Sequence, residues 1–291
     1  MQPACLIIGC GYLGQRVAAA RVSQGWRVYA LTRSTDRALE FQAAGIVPLL
    51  GDVTQADSLP DFPAVDTLLY AVGLDRRTGH SQRDVYVEGL NHVLPLLSGR
   101  TQRAIYISST SVYGQNDGTW VDEASECTPT SANGQVCLEA ERLFQQYLPQ
   151  ANILRLSGIY GPGRLIARID ALRAGTSPGG NPDAWLNLIH IADATRAVLA
   201  CDQSSAAGTT YLISDNEPVR RRDFYSRLAE QIGAPPPFPE SGIVAAPTSD
   251  ALELNKRCRN RRMREELGVQ LQFPDFRSGL PDALSKPPAA N

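Results

Sequence analysis

The residues Gly9-Cys10-Gly11-Tyr12-Leu13-Gly14 follow an unbroken apolar run, Ala4–Ile8, and lead into Leu13, Val17 and Ala20 at helical spacing. Three glycines at this spacing between a strand and a helix constrain the fold more than any other feature of the chain. Gly9 permits a tight turn, Gly11 lets the backbone approach a bound group, and Gly14 lets helix and strand pack closely. The helix then turns its unsatisfied N–H groups toward the loop, where a phosphate is favoured. The pattern predicts a strand, loop and helix that hold the pyrophosphate of a dinucleotide.

The rest of the first half keeps the same rhythm. Apolar runs at Trp26–Leu31, Ile46–Leu50, Thr67–Val72, Ala104–Ser108 and Ile153–Leu156 alternate with helical stretches. One such helix carries Val136, Ala140, Leu143, Phe144 and Tyr147 on one face. This alternation predicts an α/β, doubly wound parallel sheet of the Rossmann type over residues 1–160. Past Ile159 the rhythm breaks at Gly161-Pro162-Gly163 and again at Ser177–Pro182. Residues 161–280 are expected to form a smaller C-terminal lobe, with Leu186–Ile189 and Thr210–Ile213 returning to the sheet. Asp223–Ile232 reads as a helix ended by Pro235-Pro236-Pro237, and residues 281–291 as a disordered tail.

The second strand ends Leu31-Thr32-Arg33-Ser34, without the acid that would bond the ribose 2′-hydroxyl of NAD. Arg33 stands where a guanidinium can hold a 2′-phosphate, which favours NADP over NAD, unless it is simply an exposed loop arginine. Asp52 and Val53, after the third strand, are placed to meet adenine, although Asp52 could equally cap the next turn. Ala71, Val72 and Gly73 after the fourth strand, and Leu156 and Ser157 after the sixth, complete the expected cofactor contacts.

Three further segments carry a resemblance: Ser108-Ser109-Thr110-Ser111-Val112-Tyr113-Gly114, Arg155–Arg164 around Gly161-Pro162-Gly163, and Ile189-His190-Ile191-Ala192-Asp193. With the glycine loop, in this order and spacing, they resemble the extended short-chain dehydrogenase/reductases, the NAD-dependent epimerase/dehydratase family. The resemblance runs to about residue 215 and is greatest for an atypical, YeeZ-like subgroup. It implies a Rossmann fold, a nicotinamide cofactor and a small-molecule substrate, with a homodimer by analogy.

The family's usual proton-handling pair is a tyrosine and a lysine four residues later, the lysine's charge lowering the phenol's pKa. Its flanking residues are present here as Pro129 and Glu141, but Asn133 stands for the tyrosine and Cys137 for the lysine. No shift of register restores the pair, because the chain's two lysines are Lys256 and Lys286. The resemblance leaves Ser109 as the serine that holds a substrate oxygen; read as a residue, it is equally a strand-end hydroxyl bonded to local backbone. Tyr160 is either the group that exchanges the proton or a core tyrosine. Asp193 reads as a helix cap, and His80 and His92 have no visible partner.

Asp75-Arg76-Arg77, after the fourth strand, either hold an anionic substrate or face solvent. Arg257-Cys258-Arg259-Asn260-Arg261-Arg262 reads as a helix start with a solvated face, or by resemblance as a contact to a substrate diphosphate. Without aromatic interleaving, and with a net charge of -2, it gives no reason to expect nucleic acid. The six cysteines form no C-x-x-C pair, so free buried thiols in a reducing cytoplasm are expected and no metal site. No apolar run is long enough to span a bilayer, and no basic flank precedes Leu6-Ile7-Ile8 as in a signal peptide. The expected function is an NAD(P)-dependent oxidoreductase, epimerase or dehydratase-like enzyme acting on a small carbonyl or sugar-derived substrate. The alternative is a non-catalytic NADP-binding sensor or regulator.

Overall fold

In the computed structural model, which describes residues 2–238 and 254–285, seven strands form one sheet. They are β1 (Ala4–Ile8), β2 (Arg27–Thr32), β3 (Val47–Leu50), β4 (Val65–Tyr70), β5 (Thr101–Ser109), β6 (Asn152–Leu156) and β7 (Thr210–Ile213). Their spatial order is β7-β6-β5-β4-β1-β2-β3. The pairs β1–β2, β1–β4, β2–β3 and β4–β5 are all parallel. The order reverses at β1, so ligands are expected at its carboxyl end. The doubly wound α/β fold expected from the alternation is the fold the chain adopts.

The chain divides into two compact units. The first holds residues Met1–Ser109, Gln135–Arg155 and Thr195–Tyr211; the second holds Thr110–Gly134, Leu156–Ala194 and Leu212–Asn291. The sequence suggested a single passage near residue 160. In the structure the chain passes more than once: Thr110–Gly134 belongs to the second unit, while α4 (Ala132–Tyr147) and α6 (Ile191–Gln203) each have most of their length in the first.

In the first unit, α1 (Gly14–Ser23) buries Val17 and Ala18, and α2 (Thr35–Ala43) buries Ala38 and Phe41. The Ser34 hydroxyl caps α2 by accepting from Arg37 N. One core joins Leu6, Ile8, Leu68, Tyr70, Tyr106, Phe144 and Ile153, with Tyr70 and Tyr106 stacked. Two charges are buried beside it: Arg21, from α1, pairs with Asp202, whose other oxygen accepts from Thr67 Oγ1. Such a pair contributes little net stability while both partners remain, but losing one leaves an uncompensated buried charge.

The second unit packs around Tyr160, Leu172, Leu188, Phe224, Leu228, Phe276 and Leu280. Leu186–Ile189 does not return to the sheet as one strand. Trp185–Leu186 pairs antiparallel with Val219–Arg220, and Leu188–His190 pairs parallel with Gly158–Tyr160. The break is at Asn187, whose side chain donates to Lys256 O and accepts from Cys258 N. Thr210–Ile213 does join the sheet, as β7. Helix α7 (Arg221–Ile232) ends at Gly233, which adopts φ +64° and closes the last turn, so the helix stops before the prolines. Pro281–Leu284, expected in the tail, lie in α9 (Phe276–Leu284), whose Asp275 and Ser278 form a reciprocal cap. Residues 286–291 lie outside the described residues.

Candidate functional site

Immediately after β1 the chain turns at Gly9 with φ +94°, against the backbone that leaves β4. A Cβ on Gly9 would lie 2.3 Å from Ala71 C and 2.4 Å from Val72 N. A Cβ on Gly14 would lie 2.6 Å from Gly9 O, so α1 starts directly on the loop. Gly11 is different: nothing lies within 4 Å of its Cβ position, and the residue is exposed. Leu13 stands at the N-cap of α1 without a side-chain cap, while Gln15 N donates to Gly11 O and Arg16 N to Leu13 O. Tyr12 supports the loop, its carbonyl accepting from Arg16 Nη1 and its ring lying 4.1 Å from the same guanidinium. The three glycines thus form a cradle that is closed beneath and open above, which fits a diphosphate.

Around this cradle lie the other expected cofactor residues of the first unit. Ala71 N donates to Ile8 O, which carries the β1–β4 ladder to the loop, while Gly73 is exposed. Arg33, with 45% of its side chain exposed, places Nη2 2.8 Å from Asp75 Oδ2 and Nη1 3.9 Å from Asp52 Oδ2. Asp52 also accepts from Thr54 N and Thr54 Oγ1, so it performs the turn-capping role as well. Val53 is buried; its side chain packs on Gly89, and its carbonyl lies 2.9 Å from His92 Nδ1. His80 Nε2 lies 3.5 Å from Thr54 Oγ1. Both histidines therefore have partners. Arg37, which the sequence reading passed over, donates from Nη2 to Cys10 O within the loop. Its signal was its place four residues after Arg33, on the first turn of α2.

Asp75 begins a short 3₁₀ turn, Arg76–Thr78, and accepts from both Arg77 N and Arg77 Nε. Hydrogen bonds from Arg77, with the nearby Arg33 charge, hold the Asp75 carboxyl down to about 2. Arg77 is 90% exposed, which is the solvent-facing reading of this segment.

The end of β5 is held from behind. Ser108 Oγ donates to Glu141 Oε1, and Arg155 clasps the same carboxylate. Glu141, a family flank in the resemblance, thus fixes the strand that ends at Ser109, which is half-buried. Cys137 is buried in α4, with Gln82 Nε2 donating to its sulfur at 3.6 Å.

In the second unit, Leu156 and Ser157 are buried, and the Ser157 hydroxyl has no hydrogen-bond partner among the described residues. Tyr160 is fully buried, donates to Asp275 O at 3.3 Å, and packs on Gly279 so closely that a Cβ there would lie 2.1 Å from its oxygen. Burial raises its pKa further from neutrality. The proton-handling role expected of Tyr160 does not fit: it is the core tyrosine that seats α9. Asp193 accepts from Gln272 N and Phe273 N, tying down a distant loop in addition to its place in the first turn of α6. Lys256, buried in this unit, donates from Nζ to Tyr113 O at 2.9 Å, and desolvation lowers its pKa to about 8. Arg257–Cys258 is a strand rather than a helix start, and the helix begins at Arg261. Among the described residues all six cysteines are thiols outside any disulfide, five of them buried. Among the described residues no helix is long and apolar enough to cross a membrane.

The sequence model of the NAD dependent epimerase/dehydratase family matches residues 5–214. Protein YeeZ of Escherichia coli K12 is 30% identical over 280 residues, covering 92% of this chain and 96% of that protein. A 4-hydroxy-2-methyl-3-oxo-4-farnesyl-3,4-dihydroquinoline-1-oxide ketoreductase of Stigmatella aurantiaca is 29% identical over 243 residues, covering 77% of this chain and 72% of that protein. The structure of MoeE5 with UDP-glucose and NAD superposes with a TM-score of 0.78 at 20% identity, covering 96% of this chain and 97% of that one. That last likeness is one of fold.

Proposed function

Since the chain belongs to the NAD dependent epimerase/dehydratase family, we propose that it is an NADP-dependent oxidoreductase, or an epimerase or dehydratase-like enzyme, acting on a small carbonyl or sugar-derived substrate. The observation that carries this reading is the cradle: Gly9 and Gly14 sealed against protein, Gly11 open, and a helix start with no side-chain cap behind them. When bound, a nicotinamide supplies and takes back hydride. The chain's own residues bind and orient. The loop and the N-terminus of α1 hold the pyrophosphate, Val53 and Asp52 border the adenine, and Ala71–Gly73 border the rest. Arg33 exchanges its carboxylate partner for a 2′-phosphate. Ser109 hydrogen-bonds the reacting oxygen, and water carries the proton. A ketoreductase among the relatives favours a carbonyl substrate. The protein works in the cytoplasm, as a homodimer.

One observation favours a second reading. Asn133 and Cys137 replace the family's tyrosine and lysine, and Tyr160 is not free to take their place. On that ground the chain is a non-catalytic NADP-binding sensor.

Titration with NADPH and NADH, for wild type, Gly11→Asp and Arg33→Ala, tests the shared premise. A Cβ on Gly11 has no protein atom within 4 Å, so Gly11→Asp is expected to keep the fold while filling the phosphate space. NADPH binding lost in Gly11→Asp and weakened in Arg33→Ala supports the cofactor reading. No binding of either nucleotide by wild type overturns both readings. Turnover of carbonyl substrates by the NADPH-bound protein then separates enzyme from sensor.

A further inference from the structure

Tyr86 belongs to none of the sequence motifs, yet the first unit holds it in an unusual setting. It stands in the middle of a π turn, Asp84–Glu88, which runs on into a helix, Gly89–Val93. Widened turns of this kind are uncommon and are found often at functional sites. Two contacts dock the segment on α4. Gln82, four residues before Tyr86, donates to Cys137 Sγ at 3.6 Å, and Arg83 pairs with Glu139. The Tyr86 phenol lies within electrostatic reach of the same sulfur. It is thus brought to the turn of α4 where Cys137 replaces the family's lysine.

The oxygen of Tyr86 is held at the carboxyl edge of the sheet. It accepts from Leu74 N at 3.2 Å, and Leu74 lies four residues beyond the end of β4. Strand β4 runs parallel to β5 with Tyr70 opposite Tyr106, and Ser109 ends β5 three residues further on. Leu74 and Ser109 therefore both lie beyond the last paired rung, on the same edge. That is the edge where ligands of such sheets bind. Tyr86 is half-buried, and among the described residues Leu74 N is its one hydrogen-bond partner. The oxygen receives a hydrogen bond while the phenolic proton remains to be given. Tyr70, at the end of β4, differs in being sealed within the core.

We propose that Tyr86 is the proton donor of the reaction, handing its phenolic proton to the substrate oxygen that Ser109 holds. Resting on the oxidoreductase reading, this assignment fills the place left by Asn133 and Cys137. The carbonyl carbon takes hydride supplied by NADPH, and its π electrons pass to oxygen. The alkoxide then takes the proton from Tyr86, whose O–H electron pair stays behind on the phenolate. Leu74 N–H and the nearby Arg76 charge stabilise that anion until water returns a proton to it. Burial raises the phenol above its ordinary range, so it keeps its proton through neutral pH. An alkoxide is a much stronger base than a phenolate, so the transfer runs downhill without a lysine. The setting favours carbonyl reduction, because alcohol oxidation needs the phenolate that burial disfavours.

The test compares wild type, Tyr86→Phe and Tyr70→Phe, with cyclohexanone and ethyl acetoacetate as carbonyl probes. Tyr86→Phe keeps the ring and its packing. It should bind NADPH as wild type does, keep KM, and lose at least about 100-fold in kcat. Tyr70→Phe, which loses a hydroxyl from the core, should react as wild type does. A second readout needs no turnover. In protein isotope-labelled at tyrosine Cζ, the Tyr86 resonance is the one missing from Tyr86→Phe. It should shift when either carbonyl is added to protein loaded with NADP, and the Tyr70 resonance should not. An unmoved Tyr86 resonance, or a variant kcat within about threefold of wild type, overturns the proposal and leaves the cofactor reading standing. Where wild type turns over neither carbonyl, the resonance alone decides. Loss of NADPH binding in Tyr86→Phe also overturns it, by making Tyr86 a cofactor contact. Wild type that binds no NADPH overturns the cofactor reading, and the proposal with it.

Discussion

Arg155 grips Glu141 at two points, with Nε 3.0 Å from Oε1 and Nη2 2.7 Å from Oε2. Their side chains are 9% and 3% exposed. The pair joins β6 to α4, and through Ser108 it also fixes β5 at the edge where Ser109 stands. Arg155→Met leaves a buried carboxylate with one hydroxyl donor and should lower stability by about 3–5 kcal/mol. The double variant Arg155→Met/Glu141→Met should recover much of that loss. Urea unfolding of the two variants and wild type measures both. A single variant as stable as wild type would show that the pair is not holding the sheet.

That pair also shows what could be read from the sequence. Glu141 was recognisable by its spacing from Pro129, yet its partner lies in another element and its purpose emerged only with the fold. The glycine loop was legible because its chemistry is local: six residues, one turn and one helix start contain the whole argument. Arg33 was legible by position, but Asp75, 42 residues away, was not visible as the acid that holds it. Leu186–Ile189 was legible as a short strand, without any sign that it would split between two partners. The Arg257–Arg262 run lacked aromatics in sequence, and the fold supplied them from Trp120 and Trp185. Tyr160 could be read either way until the contact with Gly279 decided it.

The glycines of the loop should separate fold from binding. Gly9→Ala places a methyl 2.3 Å from Ala71 C at φ +94°, and should cost at least about 3 kcal/mol from strain and overpacking together. Gly11→Ala meets no protein atom and should change stability by less than about 1 kcal/mol while weakening dinucleotide binding. Thermal unfolding with and without NADPH distinguishes them. A Gly11→Ala protein that binds as tightly as wild type would remove Gly11 from the phosphate contact.

Asp75 should oppose the 2′-phosphate. It occupies Arg33 Nη2 at 2.8 Å, so an incoming phosphate has to displace it. Asp75→Asn should raise NADPH affinity by about three- to tenfold and leave NADH nearly unchanged, the gain vanishing in an Arg33→Ala background. Calorimetric titration of the four proteins forms the cycle. An equal gain for both nucleotides would show a general field effect instead of competition for one guanidinium.

Lys256 gives the pH dependence its sign. Desolvation lowers its pKa from 10.5 to about 8, and among the described residues its hydrogen bond goes to a carbonyl, Tyr113 O, and to no carboxylate. Between pH 8 and 10.5 the unfolded chain therefore binds a proton that the folded chain does not, so stability rises with pH across that window. Below pH 8 both states carry the charge, and the burial penalty is present in full. Lys256→Met removes the titrating group, so the stability of wild type relative to the variant should rise by about 3 kcal/mol from pH 7 to pH 10.5. Cysteine and tyrosine titrations common to both proteins cancel in the difference. Guanidinium unfolding across that range measures it. Parallel profiles would mean that Lys256 reaches solvent and titrates as it does in the unfolded chain, whereas convergence of the curves with rising pH would reverse the assigned sign if the variant is the less stable protein at pH 7.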